Sequence, residues 1–470
     1  MKKYALGMIG LGTMGRNLLL NMADHNYAVT GYDKDPKMLN ILEEVGQKHN
    51  LKGFSELKDF VQSLELPRRI VLLVPAGAIV DNVIKELEPL LDKGDMIIDS
   101  GNSHFTDTSR RAIELSVLGF HFFGMGISGG EEGARFGPSM MPGGDKTAYK
   151  AMKQVLEDIS AKVNGEPCVT YIGPGASGHF VKMVHNGIEY AMMQLLAETY
   201  DVLKTGLGYK TEEIQLVFAK WNKGRLKSFL MEVTAAIFAF IDDKTGNLMV
   251  DMVKDEAKSK GTGKWTSQVS MDLQLPIPTI NEAVTSRDLS KFKQLRVALS
   301  AAFPQEITLP ENLQEIEARL EEALYFAMIS SYAQGLHLLW QASNTYNYEL
   351  NLHEIAKIWR GGCIIRAELL EDIYQAYIDK PDLEHLFLDA SIQIKLKETI
   401  SGLKKIINIA MDNGIPVAAF ASTLTYFDTL RTKRLPSNLI QAQRDFFGAH
   451  TFERTDEEGV FHALWNQTTL

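Results

Sequence analysis

The stretch Tyr4–Asp33, YALGMIGLGTMGRNLLLNMADHNYAVTGYD, holds a short apolar run, the glycine turn Gly10-Leu11-Gly12-Thr13-Met14-Gly15, an amphipathic helical pattern and a second apolar run ending on an acid. A bare G-x-G-x-x-G is a weak signal, but here a strand precedes it, a helix follows it and the terminal acid is in place. The glycines permit a tight turn and close approach of backbone to a pyrophosphate, whose charge is met by amides and the dipole at the helix N-terminus. The stretch therefore predicts a βαβ unit that binds a dinucleotide, with Asp33 beside the adenosine ribose. Lys34 and Asp35 follow at once, so the charge of this turn bears on which dinucleotide is held.

Working outward, Arg68–Gly77 (RRIVLLVPAG), Asp95–Asn102 (DMIIDSGN) and Gly119–Gly130 (GFHFFGMGISGG) are apolar runs that end in Gly, Pro, Asn or Ser. They read as further buried strands of a doubly wound sheet, where ligands gather outside the carboxyl ends of the strands. Asn102 and Ser128-Gly129-Gly130 are accordingly candidate site loops; plain strand-ending turns would look the same. A second literal G-x-G-x-x-G, Gly173–Gly178, is a decoy. No second strand with a terminal acid follows it, and Pro174 removes an amide donor, so it reads as a domain junction.

At 470 residues and 45% hydrophobic content the chain divides into more than one domain. A net charge of −10 argues against a nucleic-acid partner, while leaving room for a local basic pocket for a small phosphorylated anion. Two cysteines, Cys168 and Cys363, make no disulfide framework, which points to a reducing, cytoplasmic setting. The N-terminus is broken by Gly7, Gly10 and Gly12, unlike a signal peptide, and the longest apolar run, FLMEVTAAIFAFI, is too short to span a bilayer, so no membrane role is expected.

Beyond Gly178 helical periodicity dominates, predicting a large helical domain, and the polar and aromatic segment after Pro436 reads as a docked tail. Lys182, His185, Asn186 and Glu189 in VKMVHNGIEY all fall within about 60° of Lys182 at roughly 100° per residue, forming one polar stripe. A solvated surface stripe would share that pattern, but the helix starts where the nucleotide domain ends, and ligand sites favour such junctions. A partly desolvated lysine serves as a general base and a nearby carboxylic acid returns a proton, which suits alcohol oxidation. His185 has only Glu189 near it and is expected to orient hydrogen bonds rather than bind metal; no metal site is expected. Lys260, Thr262 and Lys264 in KSKGTGKWTS lack P-loop spacing, yet ammonium, hydroxyl and amides there suit a phosphate. Arg287 and Arg444 are lone arginines, a type more often found in ordinary ion pairs.

Taken together, GLGTMGRNL, GNSHFTDT, GISGGEEGARFGPSMMPGG, YIGPGASGHFVKMVHNGIEY, KGTGKW, RGGCIIRA and SNLIQAQRDFFGAHTFER resemble the decarboxylating 6-phosphogluconate dehydrogenase family over nearly the whole chain. Shorter β-hydroxyacid dehydrogenases share the glycine turn, the S-G-G loop and the lysine, but lack KGTGKW and the QRDFFGAH tail. The resemblance implies an α/β Rossmann-like doubly wound domain (1–177), a large all-α substrate and dimerisation domain (178–435), and a tail (436–470) reaching the neighbouring subunit of a homodimer. It implies oxidation of 6-phosphogluconate at C3, loss of CO2 and formation of ribulose 5-phosphate, with Lys182 as base and Glu189 as acid. Asn102, Ser128, Gly129, Gly130, His185 and Asn186 would hold the sugar acid, and Tyr190, Lys260, Thr262 and Arg287 mainly its phosphate. Arg444 and His450 would come from the neighbouring subunit. Gly10, Leu11, Gly12, Thr13, Met14, Gly15, Asp33, Lys34, Asp35, Val74, Pro75, Ala76 and Asn102 would line the cofactor. The family default is NADP, gripped by an Asn-Arg-Ser/Thr turn; Asp33-Lys34-Asp35 departs from it. Asp33 repels a 2′-phosphate and accepts from ribose hydroxyls, Lys34 pulls the other way, and Asp35 is expected to neutralise part of it, predicting dual use or a preference for NAD. A dehydrogenase of another 3-hydroxy acid and a catalytically silent nucleotide or sugar-phosphate sensor are the competing expectations.

Overall fold

The computed structural model describes residues 3–465, so residues 466–470 of the expected tail lie outside the described residues. It divides into two compact units, one ending at Ser422 and the other beginning at Thr423.

The first unit opens with seven strands: β1 (Leu6–Ile9), β2 (Val29–Tyr32), β3 (Leu51–Phe54), β4 (Arg69–Leu72), β5 (Met96–Asp99), β6 (His121–Ser128) and β7 (Ser139–Gly144). Their order is β3-β2-β1-β4-β5-β6-β7, all pairs parallel except β6 with β7. Alternate residues serve opposite faces: Val71, Met96 and Ile98 enter one apolar core, whereas Ile70, Leu72 and Ile97 enter the other. Burial on both faces is the reason these strands read as unbroken apolar runs. The strand order reverses between β1 and β4, and a crevice opens there at the strands' carboxyl ends.

Two strands of this sheet were not anticipated. β3 (LKGF) is only partly buried, and β7 (SMMPGG) carries Pro142 and two glycines, which demote a segment as a strand. β7 tolerates them because it is the last strand of the sheet, and on its outer side it meets the irregular segment 168–173 rather than a further strand, through a bridge between Met140 and Val169.

The second glycine-rich turn leads directly into the helix Ser177–Asp201. That helix packs on β6 and β7 and on the helices Thr262–Asp272, Pro278–Ser290 and Leu313–Tyr346. The 34-residue Leu313–Tyr346 helix, N-capped by Asn312, in turn packs along Ala390–Asp412, N-capped by Asp389. Close crossings are set by missing side chains: a Cβ on Gly335 would stand 2.5 Å from Ile188. Among the described residues, no helix is long and apolar enough to cross a membrane.

The second unit contains the helix Ser437–Gly448 and a two-stranded antiparallel ribbon, Phe452–Glu453 with Val460–Phe461. Its centre is one carboxylate. Asp445 is buried and accepts from Thr451 N (2.9 Å), Ala463 N (3.1 Å) and Trp465 Nε1 (2.8 Å), with His462 Nδ1 at 2.9 Å.

Candidate active site

The crevice between β1 and β4 is a cleft of about 760 Å³ lined by Gly10, Gly12, Asp33, Lys34, Asp35, Val74 and Pro75, among others. Each glycine of the turn has a separate job. Gly10 has φ +95 and a Cβ there would lie 2.5 Å from Leu73 O; a Cβ on Gly15 would lie 1.9 Å from Gly10 O, so it lets helix and turn close up. A Cβ on Gly12 would meet nothing within 4 Å, because that position opens toward the cleft. Gly12 is also the N-cap of the helix Thr13–Asp24 and supplies no side-chain cap, leaving its first-turn amides for an anion. These features fit a dinucleotide pyrophosphate. Leu11 is buried behind the turn, while Thr13 and Ala76 are exposed and Met14 is half-buried.

Asp33 stands at the end of β2 as expected and is already engaged: Oδ2 accepts from Leu11 N at 2.7 Å and Oδ1 from Asp35 N at 2.9 Å. The expectation that Asp35 neutralises Lys34 is corrected. Asp35 caps the helix Pro36–Val45, accepting from Lys37 N at 3.0 Å, and Lys34 Nζ instead pairs with Glu86 Oε1 at 2.7 Å. The Asp35 carboxylate is committed to the helix N-terminus, and the ion pair of Lys34 is with Glu86.

The polar stripe is not a solvated face. Lys182, His185 and Asn186 are buried, with Lys182 only 6% exposed, and Glu189 is half-buried. β6 makes this possible: a Cβ on Gly126 would lie 2.3 Å from Lys182 Cβ, so the glycine lets strand and lysine meet. Lys182 Nζ lies 3.4 Å from His185 Nδ1, which also lies 3.2 Å from Asn186 Oδ1 and 4.0 Å from Glu189 Oε2. The other ring nitrogen, Nε2, lies 3.2 Å from Ser128 Oγ. Burial drives the Lys182 pKa down to about 8, opposed in part by Glu189. Burial likewise holds His185 well below its usual value, with Lys182 adding to the effect, so the ring is neutral. Glu189 is pushed up by burial against the pull of Lys182 and Arg287. A lysine lowered and a carboxylic acid raised on one helix face form an acid–base pair.

The loops after β5 and β6 frame this stripe. Ser128 Oγ also faces Ile364 N at 3.5 Å, and a Cβ on Gly129 (φ +120) would lie 2.6 Å from Gly362 O. Gly130 has φ +63 and open space around it. Asn102 is exposed in a loop held by Asp99, whose carboxylate accepts from Gly101 N at 3.1 Å and Ser103 Oγ at 2.6 Å. Buried Arg111 braces that carboxylate at 3.3 Å and reaches Asp81 at 2.8 Å.

A second cluster adjoins the stripe. The Arg287 guanidinium lies 3.6 Å above the buried Tyr190 ring, and Gly263 packs on that ring's other atoms, a Cβ there falling 2.5 Å from it. Buried Thr262 begins the helix Thr262–Asp272, preceded by Gly261 at φ +95 and the exposed Lys260. Trp265 of that helix meets His104 edge-on at 5.0 Å, joining this loop to the Asn102 loop. Arg444 and His450 belong to the second unit: Arg444 Nη1 donates to Gln441 Oε1 at 3.1 Å, and His450 lies 6.1 Å from the Phe447 ring.

Sequence reasoning passed over three contributors. Gly126 could have been found from Gly124-Met125-Gly126, alternate glycines inside a strand being a sign of close backbone approach. The Gly362–Ile364 turn, which abuts Ser128 and Gly129, was signalled only by the adjacent glycines of RGGC. Glu86 sits in the last turn of the helix Ala78–Leu87 and carries no local signal.

Comparison with known proteins gives the same outline. The profile of the 6-phosphogluconate dehydrogenase C-terminal domain matches residues 178–465, and that of the NAD binding domain of 6-phosphogluconate dehydrogenase matches residues 5–173. The chain is 48% identical over 467 residues to the NADP(+)-dependent, decarboxylating 6-phosphogluconate dehydrogenase of Bacillus subtilis, covering 99% of this chain and 100% of that one. It is 50% identical to the decarboxylating 6-phosphogluconate dehydrogenase of Synechococcus elongatus, covering 98% of each. Among solved structures, Plasmodium falciparum 6-phosphogluconate dehydrogenase, described in apo form and in complexes with NADP+ and 6-phosphogluconate, superposes with a TM-score of 0.95 at 44% identity, covering 98% of this chain and 100% of that one.

Proposed function

From the chain's membership of the 6-phosphogluconate dehydrogenase family, we infer that it converts 6-phospho-D-gluconate to D-ribulose 5-phosphate and CO2 with reduction of NADP. The observation that carries this is the buried Lys182, its pKa lowered to about 8, on one helix face with Glu189, whose pKa is raised.

Neutral Lys182 takes the proton of the C3 hydroxyl as the C3 hydride leaves. Bound NADP supplies the hydride acceptor. The resulting 3-keto acid loses CO2 from C1, and its C3 oxygen gathers negative charge, which Lys182, now an ammonium, stabilises by donating a hydrogen bond. Lys182 returns its proton to that oxygen to give the enediol, and protonated Glu189 then delivers a proton to C1 of the enediol, the former C2 of the acid, while Lys182 takes back the hydroxyl proton to leave the ketone. The neutral His185 has two useful tautomers: with the proton on Nε2 it donates to Ser128 and accepts from Lys182, and with it on Nδ1 it donates to Asn186 and accepts from Ser128. Lys182 can thus change charge with its neighbours still paired.

Asn102, Ser128, Gly129, Gly130 and Asn186 are proposed to hold the sugar acid. Its phosphate would lie near Tyr190, Lys260, Thr262 and Arg287, where two cations and an uncapped helix N-terminus supply complementary charge. Gly10 to Gly15 would take the pyrophosphate, Val74, Pro75, Ala76 and Asn102 would border the nicotinamide half, and Asp33 would accept from ribose hydroxyls, which supports use of NAD beside NADP. Residues 1–177 would form the nucleotide domain and 178–435 the substrate and dimerisation domain. The tail 436–470 of each subunit of a cytoplasmic homodimer would bring Arg444 and His450 to the neighbouring site.

Incubation of the purified protein with 6-phosphogluconate and NADP should raise absorbance at 340 nm and yield ribulose 5-phosphate in equal amount. NADPH without ribulose 5-phosphate, or a non-phosphorylated 3-hydroxy acid used more efficiently, would overturn the assignment.

A further inference from the structure

The mouth of the nucleotide cleft is lined by three carboxylates, Asp33, Asp35 and Glu86, against two ammoniums, Lys34 and Lys85, so its charge is net negative. The carboxylates are not equivalent. Asp33 is tied to the amides of Leu11 and Asp35, and Asp35 caps a helix. Glu86 projects from the helix Ala78–Leu87 onto Lys34, at 2.7 Å, with both side chains substantially exposed at 42% and 64%.

We propose that Glu86 is a specificity-determining residue for the dinucleotide: it occupies Lys34 and places a negative charge beside the ribose 2′ position, lowering affinity for 2′-phosphorylated nucleotides. This rests on the assignment of the cleft to a dinucleotide. Lys34 follows directly on the acid that ends β2, where a cation accommodates a 2′-phosphate. An exposed ion pair is weak, so Lys34 is easily drawn off by a phosphate. Doing so leaves Glu86 unpaired at the rim of the same cleft, where its charge repels a dianion over the reach of the Debye length, about 8 Å at physiological salt. Glu86 therefore acts twice against the phosphate, through the competing pair and through direct repulsion. Against a ribose bearing only hydroxyls it does neither. Selectivity is in this way divided between the turn, through Asp33, and a helix some fifty residues further on.

The test is calorimetric binding of adenosine 2′,5′-bisphosphate and of 5′-AMP to the full-length enzyme, alongside the kcat/KM ratio for NADP over NAD. Glu86→Gln should raise the ratio of bisphosphate to monophosphate affinity about five- to tenfold at 0.15 M salt, with most of the gain lost near 1 M. Against a Lys34→Gln background the same substitution should give a smaller gain, because only the repulsion remains to be relieved. A change below twofold in the affinity ratio, with both nucleotides still binding, would overturn the role of Glu86 and leave the cleft assignment standing. Failure of either nucleotide to bind any of the proteins would overturn the cleft assignment itself.

Discussion

Replacing Lys182 by arginine while following activity against pH isolates the feature on which the chemistry depends. With a pKa of about 8 in place of the usual 10.5 of lysine, roughly a quarter of Lys182 amines are neutral at pH 7.5, against about one in a thousand for an unperturbed lysine. The difference corresponds to ~3 kcal/mol between the two protonation states, within the range by which desolvation perturbs fully buried groups. Since the neutral amine is the base, kcat/KM for 6-phosphogluconate, read from initial NADPH formation, should climb about tenfold per pH unit at low pH. It should level off above an apparent pKa of about 8, a value belonging to the free enzyme. Lys182→Arg keeps a cation but cannot be deprotonated, so it should lower kcat by about 10³-fold or more and abolish the limb, with substrate affinity far less changed. Retention of more than a few per cent of activity by Lys182→Arg, or an unaltered acidic limb, would exclude Lys182 as the base.

The same lysine should cost stability. Its folded pKa lies below the unfolded value, so the burial penalty is full below about pH 8, fades as pH rises from there and is gone above about 10.4; Lys182→Met should raise the calorimetric unfolding temperature at pH 7 and lose most of that advantage near pH 10. Gly129→Ala should sharply reduce activity and lower stability by about 1–3 kcal/mol, since its Cβ would press on Gly362 O, whereas Gly130→Ala should cost only about 1–2 kcal/mol for its left-handed backbone. Parallel thermal melts and assays of the two variants separate them, and equal effects would contradict the close approach at Gly129. Asp445→Ala strips four donors of their acceptor, each costing about 1–3 kcal/mol if left buried, so the second unit should become protease-sensitive while the main melting transition stays in place. Unchanged proteolysis would show that Asp445 does not hold that unit together.

Local chemistry was legible in the sequence wherever one short segment carried the whole signal. Gly10, Gly12 and Gly15 with Asp33 made a complete unit, and the expected strands at Ile70, Ile97 and Phe122 formed because their apolar runs are buried on both sheet faces. β7 escaped notice because Pro142, Gly143 and Gly144 contradict a strand in isolation, and only its place at the sheet edge admits them. Glu86 escaped because an exposed glutamate in a helix resembles any other; its meaning comes from Lys34, remote in sequence. Asp35, adjacent to Lys34, was the natural local partner, and helix capping claimed it first.

The stripe on the Ser177–Asp201 helix shows why periodicity could not decide between a solvated and a catalytic face. Lys182, His185, Asn186 and Glu189 present the same offsets in both cases, and the deciding information lies on a different segment. Gly124 and Gly126 of β6 lack the side chains that would keep the helix off the sheet, a Cβ on Gly124 falling 2.6 Å from the His179 ring. Their absence brings the helix down onto the strand and takes Lys182 out of water. Desolvation then lowers its pKa, and neutral His185, held by Ser128 from the end of the same strand, gives the amine a partner in either charge state. An alanine at position 126 would therefore perturb catalysis without touching a titratable group. The lysine supplies the base, and glycines elsewhere in the chain supply the environment in which it is one.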